Sequence, residues 1–253
     1  MYTIILAGGL GKRMNSNIPK VLHTVNKTPM ICHVINEALK LDTQEILVVV
    51  GRYKDLIESK IRHFFSEEIL QKITYIIQKD QTIDGKIKTM GTGDAIRCCI
   101  PHLKSIRKSG DEKVVILSGD VPLIKHTTIQ LLLSKNNTLL TSNIDEPFGC
   151  GRVFINKYDI ITQIVEEKDC NDEQRQCRHV NCGIYNLNID TIIHYVPLIQ
   201  NNNKSSEYYL TDIVEIAMMH GVPIYRILLP PQNTSEILNV NTPKDLEIAN
   251  SKA

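Results

Sequence analysis

The sequence predicts an α/β fold with a doubly wound, mostly parallel sheet. Short apolar β-branched runs alternate with amphipathic helical ones, and no repeat or linker breaks the alternation. Tyr2-Thr3-Ile4-Ile5-Leu6 reads as a first strand, apolar enough to be covered on both faces. A helix over about 30–41 brings Val34, Ile35, Ala38 and Leu39 to one side, and Glu45-Ile46-Leu47-Val48-Val49-Val50 follows as a second strand. A helix over about 53–64, a strand over 73–77 and a strand over 113–118 that ends at Gly119-Asp120 complete the first half. Strands at 153–155, 161–165 and 182–185 come next, with helices near 189–198 and 208–220 and a strand over 223–229. Thr242 caps a closing helix over 243–250. Residues 79–90, with Asp-Gly and three lysines, read as an irregular surface insertion, and the polar run 200–206 reads as a mobile loop.

Composition limits the function. At 253 residues, with 42% hydrophobic and 23% charged, the chain can bury a substantial core. A net charge of +1 gives no general attraction to nucleic acid or an anionic membrane, so any anion must be bound locally. No apolar run approaches the ~20 residues of a membrane span, and the start lacks the basic-then-apolar plan of a secretion signal. Seven cysteines without Cys-x-x-Cys spacing point to reduced thiols in an intracellular, cytoplasmic setting. The eight histidines show no metal-ligand spacing.

The most informative stretch is Leu6-Ala7-Gly8-Gly9-Leu10-Gly11-Lys12-Arg13-Met14, closed by Pro19-Lys20. Its glycines let backbone N–H groups approach phosphate oxygens, and Lys12, Arg13 and Lys20 supply cations. A Walker loop fails, because Leu6 stands where its first glycine belongs and Arg13 where its hydroxyl residue belongs. A dinucleotide fingerprint fails at Met14, where a third small residue is required. The bland alternative is a glycine-rich strand-to-helix turn with solvent-facing cations. In a doubly wound sheet ligands sit beyond the carboxyl ends of the strands, where both this loop and Asp120 fall.

These residues resemble the signature of the sugar-1-phosphate nucleotidyltransferases. Pro19-Lys20-Val21-Leu22-His23-Thr24-Val25 is most similar to the N-acetylglucosamine-1-phosphate uridylyltransferases. The likeness continues through Gly91-Thr92-Gly93, Gly119-Asp120-Val121-Pro122-Leu123, Gly149-Cys150-Gly151-Arg152, Val165-Glu166-Glu167-Lys168-Asp169, Val180-Asn181-Cys182-Gly183, Glu207-Tyr208-Tyr209-Leu210-Thr211-Asp212 and Asn239-Val240-Asn241. It implies a Rossmann-like sheet of the nucleotide-diphospho-sugar transferase type. It further implies one domain over 1–253, with a nucleotide-binding half over about 1–125 and a sugar-binding half over about 126–253. That family has a shorter connection at 79–90, which also marks this segment as an insertion.

The implied reaction joins UTP and N-acetylglucosamine-1-phosphate, giving UDP-N-acetylglucosamine and pyrophosphate with Mg2+. No protein nucleophile is needed, because the sugar phosphate is itself an oxyanion. By resemblance, Arg13 and Lys20 stabilise charge on the transferring phosphoryl group, while Asp120 and Asn241 are the metal ligands. Leu6, Ala7, Gly8, Gly9, Gln78, Gly91 and Thr92 serve the nucleotide, Gln78 offering donor and acceptor to a pyrimidine edge. Gly151, Glu166, Asn181, Tyr209 and Thr211 serve the sugar. Asp120 could otherwise be a turn residue, Asn241 a helix cap and Glu166 part of a charged turn. Two other readings stay open: a cytidylyl- or thymidylyltransferase for another sugar or polyol phosphate, and a catalytically silent nucleotide-sugar-binding regulatory subunit. Bacterial members of the family often add an acetyltransferase of hexapeptide repeats. The chain shows no such repeat, so no acetyl-CoA-dependent activity is expected and no trimer is implied.

Overall fold

In the computed structural model, which describes residues 1–9, 11–83 and 85–253 and the side chains of these except Lys12, Ile83 and Lys86, β1 (Tyr2–Leu6) opens the chain. It leads through 3-10 turns at Lys12–Met14 and Lys20–Leu22 to a small hairpin, β2 (Thr24–Val25) and β3 (Thr28–Pro29). Next come α1 (Met30–Leu39), β4 (Glu45–Val50), α2 (Lys54–Phe64), α3 (Glu67–Leu70) and β5 (Ile73–Ile77). A second hairpin, β6 (Gln81–Ile83) and β7 (Lys86–Lys88), precedes α4 (Thr92–Ile106), β8 (Lys113–Ser118), α5 (His126–Leu132) and β9 (Thr138–Asn143). The rest comprises β10 (Arg152–Ile155), β11 (Ile161–Val165), α6 (Asp172–Arg175), β12 (His179–Asn188), α7 (Ile189–Tyr195), α8 (Ile213–Met219), β13 (Tyr225–Leu228) and α9 (Pro243–Lys252).

The main sheet runs β11-β10-β12-β8-β1-β4-β5, with β9 beside β12 and β13 beside β9. The strands β8, β1, β4 and β5 are parallel, Ile4 lying opposite Leu47 and Ile116. Alternate side chains of these strands enter two cores, as a sheet covered on both faces requires. Ile4, Leu47, Val49 and Ile116 meet Ile96 and Leu103 of α4, with Ile192 of α7 and Ile213 of α8. Ile5, Ile46, Val48 and Leu117 meet the α1 stripe Ile31, Val34, Ile35 and Ala38, together with Ile57 of α2 and Ile129 of α5. This is the doubly wound, mostly parallel arrangement at the glycine loop. Beyond β8, β12 runs antiparallel, with Tyr185 opposite Ile116.

Two expectations need correction. The insertion at 79–90 is not irregular: β6 and β7 form an antiparallel hairpin in which Gln81 faces Lys88 and Thr82 faces Ile87, with Gly85 at φ +70° in the connection. Asp84 of that connection lies outside the described residues. The helix expected over 208–220 begins as a 3-10 turn, Leu210–Asp212, before α8. The run 200–206 is irregular as expected, but Asn203 ties it down: its Oδ1 accepts from Ser205 N and Glu207 N, both at 3.2 Å. Thr242 does cap α9, its hydroxyl accepting from Asp245 N at 3.2 Å while the Asp245 carboxylate takes Thr242 N at 2.8 Å. All seven cysteines are free. No helix among the described residues is long and apolar enough to cross a membrane.

Candidate active site

Beyond the carboxyl ends of β1, β5 and β8 lies a cavity of about 350 Å3. Close approaches between the strand ends shape it. Gly119 N donates to Leu6 O at 2.9 Å, and a Cβ on Gly8 would come within 3.1 Å of Gln78 Oε1. Gly11 has φ +58°, and a Cβ there would stand 2.7 Å from Lys20 Cβ. The last glycine of the loop therefore lets the chain close onto Lys20.

Eleven of the residues expected from the sequence line this cavity: Leu6, Ala7, Gly8, Gly9, Lys20, Gln78, Gly91, Thr92, Asp120, Glu166 and Tyr209. Asn241 and Thr211 stand directly behind it. Asn241 Oδ1 accepts from Lys20 Nζ at 2.7 Å, and Thr211 Oγ1 donates to Glu166 Oε1 at 3.0 Å. Gly151 backs Glu166, since a Cβ there would lie 3.4 Å from Glu166 Oε1, and its carbonyl accepts from Asn181 N at 2.9 Å. The Asn181 amide is turned inward, donating to the Tyr185 hydroxyl at 3.2 Å and accepting from Gly183 N at 2.7 Å. Arg13 is exposed on its 3-10 turn and does not line the cavity. Leu10 and the Lys12 cation lie outside what is described.

At one end, Asp120 is 6% exposed and forms an ion pair with Lys20. Ser118 Oγ donates to Asp120 Oδ1 at 2.6 Å. Asp120 Oδ2 and Asn241 Oδ1 thus converge on one ammonium. At the other end the charges are unbalanced. Burial pushes the Glu166 carboxyl above its ordinary 4.5, Asp169 and Glu207 push it further, and the Thr211 hydroxyl bond pulls the other way. Burial and the same carboxylates hold the Tyr209 phenol up at about 12, against its bond to Ser205, so it is neutral.

The two ends are joined by the Gly91-Thr92-Gly93 turn. Gly93 N donates to Tyr208 O at 2.7 Å, Tyr208 N to Met90 O at 2.8 Å, and Leu210 N to Thr92 Oγ1 at 3.1 Å. Arg97 lies 4.2 Å over the Tyr208 ring and donates to Ile199 O at 2.9 Å, which braces this junction. Gln78 corrects one expectation. Its Nε2 already donates to Gly91 O at 3.0 Å and Asp94 Oδ2 at 2.9 Å, so both N–H groups are used and the amide offers only an acceptor to the cavity.

Ser118, Thr89, Glu207 and Asn239 were not singled out from sequence, yet the first three line the cavity and Asn239 reaches Asp120. Ser118 adjoins the Gly119-Asp120 motif, while Glu207 and Asn239 lie inside quoted motifs without being given a role, and Asn239 and Asn241 flank Val240, which is fully buried.

A family profile described as "MobA-like NTP transferase domain" matches residues 3–143, more than half the chain and including Lys20, Gln78 and Asp120. The chain belongs to this nucleotidyltransferase family. A protein of Acanthamoeba polyphaga mimivirus named "Probable UDP-N-acetylglucosamine pyrophosphorylase" is 39% identical to this nucleotidyltransferase over 258 residues, covering 99% of the chain and 95% of that protein. The "Bifunctional protein GlmU" of Francisella tularensis subsp. novicida is 38% identical over 245 residues, covering 95% of this chain and 49% of its own length. The nucleotidyltransferase therefore spans about half the length of that bifunctional protein. The crystal structure of apo-UDP-glucose pyrophosphorylase superposes with a TM-score of 0.70 at 17% identity, covering 100% of this chain and 97% of that one, which shows a shared fold.

Proposed function

We propose that this nucleotidyltransferase transfers uridylyl from UTP to N-acetylglucosamine-1-phosphate, releasing pyrophosphate. The observation that carries the reading is one cleft with a cation held between Asp120 and Asn241 at one end and a hydroxyl-bonded carboxylate, Glu166, at the other. The name of the mimivirus relative supports the choice of substrates. A phosphate oxygen of the sugar phosphate attacks the α-phosphorus of UTP in line. The bond to the β-phosphate oxygen breaks, and pyrophosphate leaves with the electron pair.

Lys20 meets the phosphates, and Arg13, exposed one turn beyond Gly9, joins it once a triphosphate is present. The backbone of Leu6, Ala7, Gly8 and Gly9, the Gln78 carbonyl, Gly91 and Thr92 take the nucleoside within the half spanning about 1–125. Glu166 accepts sugar hydroxyls, Tyr209 covers an apolar sugar face, and Thr211, Gly151 and Asn181 hold that wall within the half spanning about 126–253. A reducing, cytoplasmic setting suits the free thiols.

The residues fit a divalent ion. Lys20 is already paired with Asp120, so an incoming triphosphate needs a further cation. Asp120 Oδ2 and Asn241 Oδ1 already converge on one cation, and a carboxylate with an amide oxygen is the kind of donor pair that Mg2+ takes alongside phosphate oxygens. Asp120 and Asn241 would hold it, and it would supply charge neutralisation at the phosphates. The test is pyrophosphate release from each of four NTPs against a panel of sugar-1-phosphates, with and without Mg2+. The expected result is release that is fastest with UTP and N-acetylglucosamine-1-phosphate and depends on Mg2+. Preference for another NTP or sugar phosphate would overturn the assignment.

A further inference from the structure

The Asp120 carboxylate makes more contacts than its pair with Lys20. Ser118 Oγ bonds Oδ1 at 2.6 Å. A carboxylate accepts only, so the Asn239 amide must turn its nitrogen inward; in that orientation it donates to Oδ2 at 2.8 Å and Oδ1 at 3.0 Å. The segment carrying Asn239 is fixed from the backbone outward. Val240 N donates to Asp120 O at 2.9 Å, and the Val240 side chain is fully buried with Val25, Met30 and Ala249. Asn241 follows, with its Oδ1 on the ammonium that Asp120 Oδ2 holds. One short stretch of chain thus grips Asp120 by backbone and side chain and supplies the second oxygen of the cation seat.

We propose that Asn239 is a positioning residue for the reaction: by donating to both oxygens of Asp120 it fixes the plane of the carboxylate, and so sets how tightly the cleft takes up a divalent ion. Ser118 performs the same task on Oδ1 alone. This inference rests on the proposed role of Asp120 and Asn241 as metal ligands. Residues that orient a ligating carboxylate typically change metal affinity about 10–100-fold when removed.

The test is Mn2+ uptake by the full chain in the presence of non-hydrolysable α,β-methylene-UTP, read by electron paramagnetic resonance and corrected for uptake by the analogue alone. Asn239→Ala is expected to weaken Mn2+ binding about 10-fold or more, with its melting temperature and its affinity for the analogue without metal unchanged. Ser118→Ala is expected to weaken Mn2+ binding less, and the double variant more than either; Ser118→Ala carries the test should Asn239→Ala fail to fold. A merely structural asparagine would lower the melting temperature and leave Mn2+ affinity alone. Mn2+ binding by Asn239→Ala within about twofold of the parent, or by neither protein, overturns the inference. Pyrophosphate release by the parent is scored separately, so the proposed reaction can stand where this inference falls.

Discussion

At the Lys20 end of the cleft the charged groups are matched, Lys20 against Asp120, with Asn241 and Ser118 completing the contacts. At the Glu166 end, Glu166, Asp169, Glu207 and Asp212 influence one another, and among the described residues no Lys or Arg forms an ion pair with any of them. The first end holds an ammonium balanced by one carboxylate, while the second gathers carboxylates with no paired cation among the described residues. In the proposed reaction, that polarity would turn the phosphate of a sugar phosphate toward Lys20 and its ring toward Glu166.

The largest expected effect is at the matched end. Lys20→Ala should lower turnover about 100-fold or more, the usual loss on removing one preorganised electrostatic group. A loss below about fivefold in steady-state pyrophosphate release would break the contrast. Next comes the junction between the ends: Gly91 has φ +95°, and a Cβ there would stand 2.5 Å from Tyr208 O. Gly91→Ala should cost about 2 kcal/mol, lowering the melting temperature by roughly 4–8 °C in calorimetry.

At the unmatched end, Thr211→Val removes the hydroxyl bonded to Glu166 and raises the Glu166 pKa further. It should raise KM for the sugar phosphate about 10-fold and leave KM for UTP unchanged, since about 1.4 kcal/mol is one charge-assisted hydrogen bond. Because the Glu166 pKa lies above 4.5, its acceptor form is lost as pH falls toward that range. KM for the sugar phosphate should therefore climb on acidification sooner than KM for UTP does.

The smallest effect concerns stability. Burial, then Glu215, Glu166 and Asp169, push Asp212 up to about 6 from its ordinary 3.8. The folded chain then holds that proton more tightly than the unfolded chain, so the penalty is absent below about pH 4 and full above about pH 6. Asp212→Asn should raise the melting temperature by about 2–4 °C at pH 8 and not at pH 4. An equal change at both values would mean that Asp212 carries no such strain.

Much of this arrangement is legible in the sequence where local chemistry dictates it. The apolar β-branched runs at 2–6, 45–50 and 113–118 are strands at those positions because each is buried between two helical layers, and the run at 73–77 is the edge strand beside β4, with Ile73 buried and Ile77 exposed. The direction of β12 is not legible, since strand orientation depends on which neighbour is available. α4 escapes notice because Pro101 sits inside it and Gly91-Thr92-Gly93 begins it. The β6–β7 hairpin hides in a lysine-rich run whose only local mark is Asp84-Gly85. In the site, Gly8, Lys20 and Asp120 are found because they follow strands or close a glycine loop. The use of both Gln78 N–H groups is invisible, because their acceptors, Gly91 O and Asp94, are brought near only by folding.

The most direct test of the cleft's polarity is a crystal structure with UDP-N-acetylglucosamine and Mg2+ bound. The account predicts the diphosphate against Lys20, the ion between it and the Asp120 and Asn241 oxygens, and the sugar ring between Tyr209 and Glu166. A sugar lying against Lys20, or a diphosphate lying against Glu166, would contradict it.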